Sequence, residues 1–188
     1  FTVQVLDDIP VSAGDQSIAI AVDEDGLGWA NQDDGRDGEE AGSGSRTFTG
    51  NAGALNALVN FGADGAHATE AFSLKVVEPE AFGSWTSGGK QIVVVSDGST
   101  LHGYVDGDGG ADRAVFDLIV GADGSYTFTL HSQIDHPAAG GENELTGGMD
   151  LSGFIVAKDG DGDTVELADG AFTVQVLDDI PVSAGDQS

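Results

Sequence analysis

Strand-length runs of Val, Ile, Phe, Tyr and Thr alternate with Asp-Gly pairs through most of this chain. β-Branched and aromatic residues favour strands, and Asp-Gly readily adopts the positive φ angles of tight hairpin turns. No apolar stripe with the period of a helix extends beyond about two turns. The pattern predicts strands at 17–22, 54–61, 71–77, 91–96, 100–105, 114–120, 126–132, 151–157, 164–167 and 171–177. The Asp-Gly turns begin at Asp64, Asp97, Asp106, Asp123 and Asp169.

Many short strands joined by tight turns are typical of antiparallel sandwiches. We therefore predict an all-β fold, an antiparallel immunoglobulin-like β-sandwich. Residues 54–59 also contain helix formers, so a short helix is the alternative there. The polar stretch 23–45 has few core residues apart from Leu27 and Trp29 and is predicted to be a long loop.

The two ends of the chain carry the same sequence. Residues 1–17, FTVQVLDDIPVSAGDQS, recur without change from residue 172, an offset of 171 residues. Such recurrence is typical of a tandem array. FTVQVL alternates as a half-buried strand does, and the proline after it cannot join a ladder. We therefore predict that 1–10 is the end of a preceding repeat with its linker, 11–177 the intact module, and 178–188 the linker to the next repeat.

The chain is strongly acidic. Its formal net charge is -27, from 33 acidic and 6 basic side chains. This charge argues against nucleic-acid and anionic-membrane partners, whose phosphates need Lys and Arg. It also predicts that folding depends on cations, because a compact chain with this charge repels itself. The 39% of hydrophobic residues argue against disorder. There are no cysteines for disulfides and no apolar run of the about 20 residues that span a membrane.

A turn near the C-terminus carries three carboxylates at alternate positions, Asp159, Asp161 and Asp163, separated by glycines. Glycine lets the backbone curl so that oxygens converge, and Ca²⁺ takes about 6 to 8 oxygen ligands. The turn is not an EF-hand, because Thr164 stands where that loop has glycine and Gly170 where it has its closing glutamate. The pattern predicts a calcium site, and the alternative is a solvated hairpin turn.

Paired aspartates lie at both predicted junctions: Asp7 and Asp8, and their copies Asp178 and Asp179. Like charges at close range repel unless a cation bridges them. In an immunoglobulin-like sandwich the turn before the last strand lies at the pole where the chain enters. We therefore predict a calcium site shared between the 159–163 turn and the entering linker, which would make the joint rigid. A flexible acidic linker is the alternative.

Other acidic positions are weaker candidates. Asp23 with Asp25, and Asp106 with Asp108, are each predicted to hold a cation, while the acids of 33–40 are expected to form a solvated loop. The four histidines, at 67, 102, 131 and 136, have no common spacing and no cysteine partners, so we expect surface residues rather than zinc ligands. No Gly-x-Ser-x-Gly elbow and no spacing typical of a glycosidase acid pair are present, so we expect no enzyme.

Several segments together resemble a known family. They are VNFGADG, LHGYVDGDG, FDLIVGADGSYTFTLHSQIDHP, LSGFIVAKDGDGDT and FTVQVLDDIPV. They resemble the tandem repeats, about 140 to 170 residues long, of giant RTX adhesins exported by type I secretion. The resemblance implies calcium-bound β-sandwich modules that extend a ligand-binding tip away from a Gram-negative cell surface, as in biofilm adhesins. The calcium-ligand role that the resemblance implies is carried over to Asp159, Asp161, Asp163, Asp178 and Asp179.

The sequence thus predicts an extracellular structural extender with calcium-binding loops and linkers. The partners we expect are calcium ions and neighbouring repeats of the same chain, with a monomeric module and no membrane insertion. The alternative is a carbohydrate- or surface-binding module, for which Trp29, Trp85 and Tyr104 would supply an aromatic platform.

Overall fold

The computed structural model describes residues 8–27, 45–107, 110–136 and 147–177. These residues form fourteen strands and three short 3₁₀ turns, at Glu24–Gly26, Ala54–Leu58 and Ser152–Phe154. Within the described ranges no helix is long and apolar enough to cross a membrane. The strands are β1 (Val11–Ser12), β2 (Ile18–Asp23), β3 (Thr47–Gly50), β4 (Val59–Asn60), β5 (Phe72–Leu74), β6 (Val77–Ser87), β7 (Lys90–Ser96), β8 (Thr100–Val105), β9 (Arg113–Val120), β10 (Tyr126–Leu130), β11 (Met149–Asp150), β12 (Ile155–Lys158), β13 (Thr164–Glu166) and β14 (Phe172–Leu177).

The strands form one large sheet and three small ones. The large sheet has six strands in the order β3-β10-β9-β8-β7-β6, and all its neighbours are antiparallel. The small sheets have the orders β11-β14-β2, β13-β12-β5 and β1-β4. The predicted all-β sandwich is confirmed. One pair departs from antiparallel order, because β14 runs parallel to β2.

A single apolar core lies between the large sheet and the small ones. Phe116 and Phe128 project from the large sheet and are fully buried. On the facing side, Phe172 of β14 places its ring edge-on to Tyr126 of β10, with centroids 4.9 Å apart. Phe82 of β6 contacts the ring of Phe154 at 6.1 Å. Burial of these rings is the main favourable contribution to holding the layers together.

Most predicted strands are present. The predictions at 17–22, 91–96, 100–105, 114–120, 126–132, 164–167 and 171–177 coincide with β2, β7, β8, β9, β10, β13 and β14 to within two residues at either end. The strand predicted at 54–61 is wrong over its first part, where Ala54–Leu58 forms a 3₁₀ turn. Leu55 and Leu58 are three residues apart and both buried, which matches the three-residue period of that turn. The strand predicted at 151–157 likewise begins only at Ile155, after a 3₁₀ turn.

The eleven-residue strand β6 was not predicted. It contains Pro79 and Gly83, and most of its residues are exposed. It lies at the edge of the large sheet and its register with β7 shifts twice. Edge strands tolerate proline and irregular pairing because one side of the backbone has no neighbour. Strand propensity therefore gives little signal there.

The predicted Asp-Gly turns are confirmed. The glycines of all five pairs have positive φ, between 62° and 96°. At Gly98 the preceding Asp97 closes the turn: its Oδ1 accepts hydrogen bonds from Ser99 N, Ser99 Oγ and Thr100 N, each at 2.9 Å. These hydrogen bonds lower the pKa of Asp97 to about 2.

Asp97 should therefore contribute to the acid sensitivity of the fold. Since its folded pKa lies below its usual value, its contribution is present above about pH 4 and is lost as the pH falls toward about 2. The stability difference between the parent and Asp97→Asn is expected to be constant near neutrality and to shrink across that interval. Urea denaturation at a series of pH values measures it, and an unchanged difference at low pH would contradict the assignment.

Candidate metal centre

The three alternating carboxylates lie on the hairpin turn between β12 and β13. Lys158 pairs with Thr164 at the open end of the turn, and the N–H of Asp159 donates to the carbonyl of Asp163 at 3.0 Å. Gly162 has a φ of 110°, a conformation that L side chains rarely adopt. The glycines let the backbone fold back so tightly that every second side chain faces the same side.

The turn brings the three carboxylates together. One ligand oxygen from each of Asp159, Asp161 and Asp163 lies within 4.8 Å of the other two. Asp159 is buried, Asp161 is exposed and Asp163 is half-buried. The cluster therefore runs from the protein interior to solvent, so an ion can enter from outside.

Asp159 has a buried carboxylate oxygen without a hydrogen-bond partner. Its side chain is fully buried. Its Oδ1 accepts the backbone N–H groups of Gly162 at 3.1 Å and Asp163 at 2.8 Å, whereas its Oδ2 is buried without a hydrogen-bond partner. A buried charged oxygen without a partner is costly. A cation beside Oδ2 would remove this cost and would also offset the repulsion among the three carboxylates.

The donor set fits calcium. All three side chains offer hard carboxylate oxygens, which Ca²⁺ binds singly or in pairs in flexible geometry. Zinc prefers histidine and cysteine, and neither belongs to this group. Mg²⁺ requires near-octahedral geometry and keeps several waters. A partly buried carboxylate cluster open on one side therefore suits Ca²⁺ best.

A second loop supports the turn. The N–H of Gly160 donates to the carbonyl of Gly65 at 2.9 Å, and Ala66 forms a β-bridge with Asp159. A Cβ atom added at Gly160 would lie 2.5 Å from the carbonyl oxygen of Asp64. Gly160 is therefore needed for the close approach between the 159–163 turn, which we call the metal turn, and the segment 62–66.

Gly160→Ala should loosen this contact. Because the added methyl meets backbone, we expect a loss of about 1–3 kcal/mol in the free energy of unfolding and a smaller stabilisation by calcium. Gly153→Ala is the matched control, since a Cβ at Gly153 meets nothing within 4 Å. Thermal melts of both variants in calcium and in chelator make the comparison. If the two variants melt at the same temperature in both conditions, the contact between Gly160 and the backbone of Asp64 is not tight.

The entering chain reaches the same segment. Asp8 Oδ2 accepts the N–H of Ala63 at 2.9 Å, and Gly62 lies directly against the Asp8 carboxylate. Asp8 and the metal turn thus both contact the segment 62–66. Asp8 does not belong to the group of carboxylates within 4.8 Å, and Asp7, Asp178 and Asp179 lie outside the described residues. The shared site remains a prediction.

The structure describes the other acidic candidates only in part. Asp23 ends β2, and Asp25 lies in the 3₁₀ turn that follows. Asp106 is exposed in the turn after β8, and Asp108 lies outside the described residues. Among the residues that the structure describes, 159, 161 and 163 form the only acidic or histidine group of three with ligand atoms this close.

Sequence reasoning missed Glu24, which lies between Asp23 and Asp25. Glu24 is buried, and its Oε1 accepts the N–H of Ile134 at 2.7 Å and lies 3.4 Å from His136 Nε2. It therefore holds residues of the 132–136 segment rather than facing solvent. The only sequence signal was its position directly after a strand and before the apolar Leu27.

Two of the histidines share one carboxylate. Asp117 on β9 places Oδ1 2.7 Å from His102 Nδ1 and Oδ2 2.8 Å from His131 Nε2. His102 and Asp117 are cross-strand neighbours, which the sequence spacing did not indicate.

Two of the three candidate platform aromatics, Trp85 and Tyr104, lie in the described region. Trp85 is half-buried and packs against the core. Tyr104 is half-buried on β8, and Trp29 lies outside the described residues.

One protein family matches this chain. The model of a domain of unknown function, DUF5801, matches residues 19–168, more than half of the 188 residues. No curated protein matches, and no solved structure matches.

Proposed function

We propose that this chain, which belongs to the DUF5801 family of domains of unknown function, is a structural extender module of a calcium-dependent bacterial surface adhesin. Calcium at loops and linkers stiffens the array, which holds a ligand-binding tip away from the surface of a Gram-negative cell. The chain performs no catalysis, and its cofactor is Ca²⁺. The observation that carries the proposal is the buried Asp159 Oδ2 without a partner inside a cluster of three carboxylates.

The path of the chain supports an end-to-end array. β2 and β14 pair in parallel from Phe172 with Ile18 to Leu177 with Asp23. The chain therefore enters β2 at one end of this pair and leaves β14 at the other. With a rise of about 3.3 Å per residue, the two ends are about 17 Å apart along the strands. A module with entry and exit at opposite ends lengthens the array with each repeat.

The entering chain is connected to the metal turn through the segment 62–66. Ser12 Oγ accepts the N–H of Ala168 at 2.9 Å, and the N–H of Ile18 donates to the carbonyl of Ala171 at 2.8 Å. Upstream, Asp8 binds the segment 62–66 that also supports the metal turn. A calcium ion at the turn would thus stabilise the surface on which the incoming chain rests.

The repetition of sequence supports the same role. Residues 1–17 and 172–188 are identical, as expected if equivalent linkers join equivalent modules. The net charge of -27 makes a rod of such modules dependent on divalent counter-ions. This fits a calcium-rich extracellular setting and export by type I secretion, to which the adhesin resemblance points.

Melting in calcium and in chelator tests the proposal. A ligand at about 100 times its Kd stabilises the folded state by about 2.7 kcal/mol, which for a domain of this size is a rise of about 5–10 °C in Tm. We expect a rise of this order in millimolar calcium and a smaller one in magnesium. The same Tm in calcium and in chelator would refute calcium binding by the folded module.

A further inference from the structure

A groove lies along the edge of the large sheet, between β6 and the turns that face it. One wall is formed by residues 75–80, where the chain passes from β5 into β6, and the other by Asp150, Gly153, Phe154 and Asp169. The groove has a volume of about 600 Å³, within the range of about 300–1,000 Å³ that is usual for ligand sites. We call it the edge groove.

One wall of the edge groove is a strand with a free side. β6 is an edge strand of the large sheet, and β7 is its only sheet neighbour among the described residues. At the C-terminal end of β6, the N–H of Asp135 donates to the carbonyl of Thr86 at 2.9 Å. The backbone of 77–82 makes no such hydrogen bond with described residues outside β7. Its outward N–H and C=O groups can therefore pair with an added strand.

The edge groove also presents apolar surface. Val76 is 68% exposed, more than any other large apolar side chain of the described region. On the opposite wall Phe154 is half-buried. A Cβ added at Gly153 would meet nothing within 4 Å, so the groove is open beside Phe154. An occupant that covers these side chains would remove apolar surface from water, which favours binding.

The edge groove is lined by negative charge. Its four carboxylates are all on exposed residues, Glu78, Glu80, Asp150 and Asp169. Among the described residues that line the groove, the one cationic side chain is that of Lys75. Its Nζ lies 2.8 Å from Glu166 Oε1, so its charge is already offset. The groove therefore has an excess of negative charge that Lys or Arg of an occupant would complement.

These features define the kind of partner that fits. A free strand edge pairs with extended backbone, and side chains of an extended segment alternate between two faces. A segment in which Lys or Arg alternates with apolar residues therefore offers cations on one face and apolar side chains on the other. A second copy of this chain is a poor occupant, because its 33 acidic side chains against 6 basic ones would be repelled.

We propose that the edge groove binds an extended basic segment of a partner protein, which adds to β6 as a further strand of the large sheet. Hydrogen bonds to the backbone of β6 supply affinity, and the carboxylates and Phe154 select cationic and apolar side chains. The inference does not depend on the metal site. It goes beyond the extender role, because it gives the module a partner outside the array.

Titration with a synthetic peptide tests this proposal. The probe is an eight-residue peptide of alternating Lys and Val with both ends capped. It is added to the full chain in millimolar calcium and about 150 mM salt, where attraction between distant exposed charges is largely screened. We expect saturable one-to-one binding by calorimetry. In NMR spectra, the backbone amides that shift should be confined to residues 75–82, 150–154 and 169.

Variants of the protein separate binding in the groove from general attraction to its charge. Glu78→Gln with Glu80→Gln should weaken binding about three- to tenfold, because two carboxylates of the groove are lost. Asp106→Asn with Asp112→Asn removes the same charge from exposed residues of the β8–β9 loop and should change the Kd by less than about twofold. Gly153→Leu keeps the charge but extends into the open space of the groove, so it should also weaken binding severalfold.

Peptides with methylated amides test the strand pairing. Methylation of every second backbone nitrogen keeps the side chains and charges but removes the N–H donors along one edge of an extended peptide. Two such probes, methylated at the Lys or at the Val nitrogens, block opposite edges. One of them should bind severalfold more weakly than the unmethylated peptide, and the other should bind about as well.

Three results would overturn the proposal. The first is the absence of saturable binding by the unmethylated peptide. The second is equal weakening by the groove pair and the loop pair of substitutions, which would mean attraction to the net charge alone. The third is unchanged binding of both methylated peptides, which would show that the occupant does not pair with β6.

Discussion

The effect of Asp159→Asn on the free energy of unfolding is expected to depend on calcium. The variant is less stable than the parent in millimolar calcium, and it is as stable as the parent, or more stable, in chelator. In calcium it loses a charged ligand, and with it most of the about 2.7 kcal/mol that a ligand at about 100 times its Kd contributes. In chelator, the parent keeps a buried charged oxygen without a hydrogen-bond partner, a cost that the neutral amide reduces.

The asparagine should also preserve the fold of the turn, so that the change in stability reports on the metal site. Its Oδ1 can still accept the N–H groups of Gly162 and Asp163, as Asp159 Oδ1 does. Asp15→Asn makes the same change of charge on an exposed residue outside the turn, so it should leave the calcium response unchanged. Urea denaturation of the parent and the two variants, with and without calcium, gives the six free energies of unfolding. An Asp159→Asn variant with the parent's full calcium response would place the ion elsewhere.

Phe172→Ala should strongly destabilise the core. Phe172 is fully buried and its ring meets Tyr126 across the two layers. Truncation of a buried phenylalanine typically costs about 3–5 kcal/mol, against a total stability of about 5–15 kcal/mol for a domain. In chelator this variant should be largely unfolded, and calcium should recover part of the folded population by mass action.

Ile119→Ala is the matched control for the core prediction. Ile119 lies on β9 of the large sheet but is 49% exposed, so its truncation should cost less than about 1 kcal/mol. Urea denaturation of both variants in calcium compares the two costs. If Phe172→Ala cost no more than Ile119→Ala, the small sheets would not share a core with the large one.

Local patterns in the sequence account for much of this fold. Asp-Gly pairs require positive φ at glycine, and alternating apolar residues define strands such as β8 and β14, so these elements follow from neighbouring residues alone. The strand predictions that failed have physical reasons. Leu55 and Leu58 are buried by a 3₁₀ turn whose residue types also occur in strands. β6 is an edge strand that contains charged residues and has no alternation of apolar and polar residues.

The metal turn also has one property that the sequence predicts and one that it does not. The alternation of Asp159, Asp161 and Asp163 with glycine is visible in the sequence and predicts that the carboxylates converge. Burial of Asp159 is not visible, because it arises from the segment 62–66, which lies almost a hundred residues away and packs on Gly160. Contacts between distant segments depend on the whole topology, and a single sequence does not specify them locally.

Calcium stiffening of the array is tested most directly by small-angle scattering on two consecutive 171-residue periods, measured in millimolar calcium and then in chelator. The proposed role predicts an extended particle of fixed length in calcium, and a broader, shorter distribution of distances in chelator while each module stays folded. Curves that superimpose in the two conditions would contradict it.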